Sequence, residues 1–197
     1  RPGHPWPVLI AANRDERLDR PWSPPGRHWP GHPGVLAGRD DGAGGTWMGV
    51  NRDGVLAAVL NRPGSLGPAP GKRSRGELPL HALAAPDAAT AAARIAALHA
   101  ALWRPFNMVL ADAAGAWFLR GLGAARPEAL PLPPGLSVVT AHDPNDLASP
   151  RIARALPRFA ASPPPDPDAG DWAGWEALLA DPAAGEDRAA ALNVPPH

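Results

Sequence analysis

Three Asn-Arg dipeptides, Asn13-Arg14, Asn51-Arg52 and Asn61-Arg62, each follow directly on an apolar run. Strand ends are where a sheet presents polar groups to a cleft. An Asn placed there can offer its amide N–H to a developing oxyanion, and an Arg can hold a carboxylate or lower the pKa of a neighbouring nucleophile. Asn51-Arg52 precedes Asp53-Gly54 and reads as an exposed turn. Asn13 and Asn61 have no tight turn to explain them, so each is either a site residue or an Asn that ends a strand by bonding local backbone. The run Asn13 to Arg17 sets four charges of mixed sign behind an apolar segment. It is either a solvated loop or, through an ion pair of Arg14 with Asp15 or Glu16, a device that orients a reactive side chain.

Other signals carry less. His28 and His32 have a helical metal-ligand spacing, but Pro30 and Gly31 between them exclude the helix, so no metal site is expected. Gly38 to Gly45 is glycine-rich without the Gly-Lys-Ser/Thr ending of a phosphate loop. His142-Asp143 with Asn145-Asp146 is either a polar site or a turn that delivers the chain to a helix cap at Ser149. With no cysteine and no Gly-x-Ser-x-Gly elbow, the chain shows no recognisable nucleophile.

These residues need elements to hold them. Trp6 to Ala12 is apolar on both alternating faces and predicts a strand covered on both sides. Pro21 to Gly45 is a breaker-rich connection with one short strand, Gly34 to Ala37. Thr46 to Val50 and Val55 to Leu60 flank Asn51-Arg52-Asp53-Gly54 and predict a hairpin. A short helical stretch near Arg75 to Ala85 must start or kink at Pro79. Asp87 caps an alanine-rich helix reaching about Trp103. A second hairpin joins Phe106 to Ala111 with Ala116 to Arg120, and Leu136 to Ala141 reads as a further strand. Ser149-Pro150 opens a helix that Pro157 shortens or bends, and Asp171 begins a last one. Hairpins mixed with helices, without strand-helix alternation, predict an α+β fold with a largely antiparallel sheet.

A chain of 197 residues suits a single domain. Its 28 prolines and 21 glycines approach the composition of disordered chains, but eight tryptophans and the Val/Leu/Ile runs supply core material. Lys+Arg and Asp+Glu balance at 19 each, so no net field favours nucleic acid as a partner. No stretch is long and apolar enough for a membrane span, and the lack of cysteine makes a cytoplasmic setting the expectation.

Read in order, ANRDE at Ala12 to Glu16, Arg20-Pro21, Trp29, AGRD at Ala37 to Asp40, GGTWMGVNRDG at Gly44 to Gly54, LNRP at Leu60 to Pro63 and SRG at Ser74 to Gly76 resemble the NRDE family, the Transport and Golgi organisation homologues. The resemblance covers roughly the first third of the chain closely. It implies an N-terminal-nucleophile-hydrolase-like fold, a four-layer αββα sandwich with largely antiparallel sheets, here short at the N-terminus and open to truncation at the C-terminus. The Trp47 to Pro63 segment is also similar to choloylglycine-hydrolase and penicillin-acylase-like enzymes. That likeness implies that Arg14 and Asp15 orient an upstream nucleophile, that Asn61 serves an oxyanion, with Asn13 beside them, and that Glu16, Trp47, Arg62 and His142 contact substrate. The chain departs from the acylases at Val139-Thr140-Ala141-His142, where they place another Asn after the Thr. Two functions are implied: an amidohydrolase acting on a non-peptide C–N bond, or a non-catalytic haem or lipid/acyl-CoA binding and trafficking protein. Either takes a small-molecule ligand of amide, acyl or haem type, with no resident cofactor expected. Arg14, Asp15 and Asn61 are expected to converge on one cleft.

Overall fold

A computed structural model describes residues 5–14, 16–181 and 190–192. The chain divides into two compact units, a sheet unit spanning Arg20–Pro133 and a terminal unit combining Arg1–Asp19 with Pro134–His197.

The sheet unit is a seven-stranded meander in which every strand pairs antiparallel with its neighbour in sequence. Its strands are β1 (Trp22–Gly26), β2 (Leu36–Asp40), β3 (Met48–Val50), β4 (Leu56–Asn61), β5 (Phe106–Asp112), β6 (Gly115–Gly121) and β7 (Glu128–Leu132). Both expected hairpins form, β3–β4 around Asn51 to Gly54 and β5–β6 around Asp112 to Gly115. Two helices, α1 (Leu78–Leu83) and α2 (Ala88–Ala96), lie between β4 and β5 in sequence. Pro79 sits in the first turn of α1, where its missing N–H has no helical partner to lose. Asp87 caps α2 by accepting from the Thr90 backbone N–H at 2.6 Å. This helix ends at Ala96, short of the expected Trp103. The chain turns there so that Trp103 can bury itself and donate its indole N–H to Glu77 Oε1 at 2.6 Å.

Alternation along the strands, combined with the ladder register, sorts the side chains onto two faces. One face carries the cross-strand row Ala37, Gly49, Ala57, Leu110, Trp117, Pro131 and the row Val59, Met108, Leu119, Ala129. Against it pack α1 and α2, contributing Leu78, Ala82, Leu83, Ala88, Ala91, Ala92 and Ile95 to the core. Small residues on both sides allow close approach of helix and sheet. The second face carries the row Leu36, Val50, Leu56, Ala111, Ala116, Leu132 and the row Met48, Ala58, Val109, Phe118, Leu130. Both rows are apolar throughout.

In the terminal unit, α3 (Pro150–Ala161) begins at Ser149, whose Oγ accepts from the Ile152 N–H, and it runs through Pro157 instead of ending there. The second helix, α4 (Ala173–Ala180), meets it through an edge-on contact of Trp175 with Phe159, ring centroids 5.5 Å apart. Arg154 and Arg158 both pair with Asp181 beyond the end of α4. No helix among the described residues is long and apolar enough to cross a membrane.

Three expectations are corrected. The αββα sandwich of the N-terminal-nucleophile hydrolases is not what the described residues form: they make one open antiparallel sheet, neither closed nor curled, within an α+β fold. The strands expected at Trp6 to Ala12 and Leu136 to Ala141, which a second sheet would need, have no strand pairing. An apolar pattern supplies faces, but a strand also needs a ladder partner. In the second segment a side chain takes the partner's place, since Asn145 accepts from the Val138 N–H and donates to the Leu136 carbonyl.

Candidate functional site

Three of the motif segments meet at the end of the β3–β4 hairpin opposite its turn. The Thr46 N–H donates to the Gly76 carbonyl at 2.8 Å, and a Cβ on Gly45 would lie 2.4 Å from the Gly76 carbonyl carbon. The chain therefore needs glycine at position 45, because two backbones touch there. From the other strand, the Arg62 N–H donates to Ser65 Oγ, whose hydroxyl donates back to the Arg62 carbonyl. Arg75 reaches the same residue, donating to Ser65 O at 2.6 Å and Oγ at 2.8 Å. Gly44 to Trp47, Leu60 to Pro63 and Ser74 to Gly76 are thus one assembly.

Arg62 and Asn61 part company within it. Arg62 donates through Nη1 to Asn107 Oδ1 at 2.6 Å, and fully buried Asn107 shares its row, Leu60, Asn107, Arg120 and Glu128, with the second face. Asn61 falls in the row of Phe106 and Gly121, on the helix-covered face. Trp47 belongs to the second face as well. Its ring occupies the space where Gly38 would carry a Cβ, 2.7 Å from that point, and the Trp22 ring meets it edge-on at 6.0 Å.

The Trp/His-rich connection packs onto this framework. Trp29 donates its indole N–H to the Gly44 carbonyl at 2.8 Å, and His28 places Nε2 2.8 Å from the Pro24 carbonyl, which engages that ring nitrogen locally. Asp40 binds the Arg20 guanidinium at 2.6 Å and accepts from the Gly42 and Ala43 N–H groups. Burial pushes the Asp40 carboxyl up, but the Arg20 bond, the backbone donors and the Arg20 charge together hold it below its ordinary value.

Asn51, the turn residue, is fully engaged. Its Nδ2 donates to the carbonyls of Leu83 and Ala85, at 3.0 and 2.8 Å, and its Oδ1 accepts from the Asp53 and Val55 N–H groups. It pins the end of α1 to the hairpin, a role beyond the exposed turn expected of it.

In the terminal unit, Asn13 donates its amide to the carbonyls of Leu179 and Leu192, at 2.8 and 3.0 Å. Both amide hydrogens are held by backbone far away in sequence, which is not the local strand-ending bond expected and leaves none for an oxyanion. Arg14 is half-buried, Glu16 is exposed and accepts from the Arg17 N–H, and Arg17 pairs with Asp19 at 2.6 Å. Asp15 lies outside the described residues. His142 places Nδ1 3.6 Å from Asp146 Oδ2 in a loop whose Asp143 to Ser149 turns lead to the α3 cap.

The hydrolase assignment falls with the sandwich it required. A single open sheet replaces the two stacked sheets, and Asn13 is committed to backbone. Among the described residues no group of three or more His, Cys, Asp or Glu side chains gathers as a metal cluster. Sequence reasoning missed Ser65, Arg75 and Asn107 as parts of the motif assembly. The SRG motif was the available signal for Arg75, whereas only the strand register brings Asn107 to Arg62.

Comparison with known proteins agrees with the motif order. The family described as Transport and Golgi organisation 2 matches residues 1–148. The mouse Transport and Golgi organization 2 homolog is 36% identical over 110 residues, covering 53% of this chain and 38% of the mouse protein. The human Transport and Golgi organization protein 2 homolog is 34% identical over 110 residues, with the same coverage of 53% and 38%. The matched stretch thus spans well under half the length of these relatives. With most of its residues matched by the family, the chain belongs to the Transport and Golgi organisation 2 family.

Proposed function

We propose that this protein is a non-catalytic binding protein for an apolar small molecule of the lipid or acyl class, in keeping with the transport role in its family's name. The observation that carries the reading is the second face of the sheet. Two complete cross-strand rows there are apolar, and their flanks remain open: Leu36 is 44% exposed, Val50 37% and Leu130 45%, while Trp22 beside Trp47 is 48% exposed. Exposed apolar side chains are ordinary when scattered, but here Leu36 and Val50 are cross-strand neighbours on the same face, and Trp47 and Met48 continue the surface. Desolvating such a surface against an alkyl chain is favourable by about 25 cal/mol per Å² of apolar area. Arg62, bonded to Asn107 at the polar end of this face, and Trp47 at its apolar border are the expected site residues that belong to it.

The test is a titration with a fluorescent long-chain acyl probe, with haem as a second arm. Saturable acyl binding that weakens at least tenfold in Leu36→Asp/Val50→Asp, with the far-ultraviolet circular dichroism unchanged, is the expected result. Haem binding without acyl binding would replace the ligand class. Absence of saturable binding in both arms would remove the reading.

A further inference from the structure

Two arginines outside the apolar surface close on one loop. Arg75 donates through Nη1 to the Ser65 carbonyl, Ser65 Oγ and the Pro105 carbonyl, at 2.6, 2.8 and 3.2 Å. Arg104 donates through Nη2 to the Gly64 carbonyl at 2.6 Å and through Nη1 to the carbonyls of Leu66, Gly67 and Pro68. The two guanidinium groups therefore grip consecutive carbonyls, those of residues 64, 65 and 66. Ser65 between them is buried, and its hydroxyl is fixed by Arg62.

Every acceptor given to these two cations is a neutral oxygen. Among the described residues neither has a carboxylate partner, although Arg73 nearby has Glu77 at 2.6 Å. Burial first, and then the Arg104 charge, hold the Arg75 guanidinium below its ordinary value. The Nε and Nη2 donors of Arg75 and the Nε of Arg104 are not sealed away from solvent, since the buried donors without partners are Arg39 Nε and Trp175 Nε1.

A staple for the loop needs hydrogen-bond donors to its carbonyls, which neutral side chains can also supply; it does not need two uncompensated cations side by side. Juxtaposed guanidinium groups with donors left over match the two oxygens of a phosphate or carboxylate, to which Arg bonds in a bidentate fork. We propose that Arg75 and Arg104 form an oxyanion site on the loop that follows β4, taking the phosphate or carboxylate group of a small ligand. The site stands apart from the apolar-ligand reading, and its test uses no apolar probe.

Inorganic phosphate is titrated into the wild-type protein at constant ionic strength set with chloride, reading the Nε–Hε resonances of the arginines, with acetate as a parallel arm. The expected result is a saturable shift of the Arg75 and Arg104 resonances, with affinity weakened at least fivefold in Arg104→Gln. Phosphate binding without acetate binding assigns the phosphate class, and the reverse assigns carboxylates. A linear, unsaturated response of the wild-type protein to both anions would overturn the proposal. So would an unchanged affinity in a folded Arg104→Gln variant, and if that variant does not fold, Arg104→Lys is read in the same way.

Discussion

At the scale of single residues, the Asn-Arg dipeptides separate by what their amides bond. Asn51 makes four hydrogen bonds that tie the β3–β4 turn to the end of α1. Replacing it by Ala leaves two backbone carbonyls and two N–H groups without those partners, and at about 1 kcal/mol of net stability per bond the loss is predicted at about 2–4 kcal/mol. Chemical denaturation checks this, and a loss under about 1 kcal/mol would show the clamp to be dispensable. Asp40 supplies a pH prediction. Its folded-state carboxyl lies below the ordinary value, so it binds fewer protons when folded than when unfolded in the window between the two. Its contribution to stability is fully present above the ordinary aspartate range and is lost as pH falls through the lowered folded value. The slope of stability against pH in that acidic window should flatten in Asp40→Asn, and an unchanged slope would mean that the Arg20 pair contributes nothing.

At the scale of elements, the sheet is bounded by two strands whose sequences argue against strands. The edge strand β1 contains Pro24 and Pro25, and the opposite edge β7 contains Pro131. Proline cannot donate to a ladder, which confines it to edges, where it also blocks pairing with another chain. This explains why Pro21 to Gly45 reads as a loop with one short strand although it holds β1 and β2, and why β7 escaped notice. Restoring the donors in Pro24→Thr/Pro25→Thr/Pro131→Thr should therefore produce concentration-dependent self-association, visible by sedimentation velocity. A variant that stays monodisperse across the concentration range would show the edges to be protected by something other than proline. The central hairpin had no such obstacle: the apolar runs Phe106 to Ala111 and Ala116 to Arg120 carry no proline, and the hairpin forms as expected.

At the scale of the whole molecule, the most extensive pairing is central, where β4, β5 and β6 match six and seven residues in register. Hydrogen exchange should be slowest at the backbone of Phe106 to Leu110 and fastest in Trp6 to Ala12, which has no ladder, since local opening follows ladder and burial. Equal protection across both would contradict a core centred on β5. The sequence by itself determined a good deal. Apolar runs, Asp-Gly and Asp-Ala-Ala-Gly turns, and the caps at Asp87 and Ser149 specified two hairpins and two helix starts, because these signals act over a few residues. The motif order identified the family. What only the tertiary structure decided depends on partners far apart in the chain. Apolar Trp6 to Ala12 has the pattern of a strand but no ladder, Pro-rich β1 and β7 find ladders at the sheet edges, and Arg62 meets Asn107 because a register places them together. The sandwich implied by resemblance gave way to one open sheet for the same reason. Side-chain pattern decides which face a residue prefers, whereas strand pairing is settled by backbone groups whose partners no local pattern names.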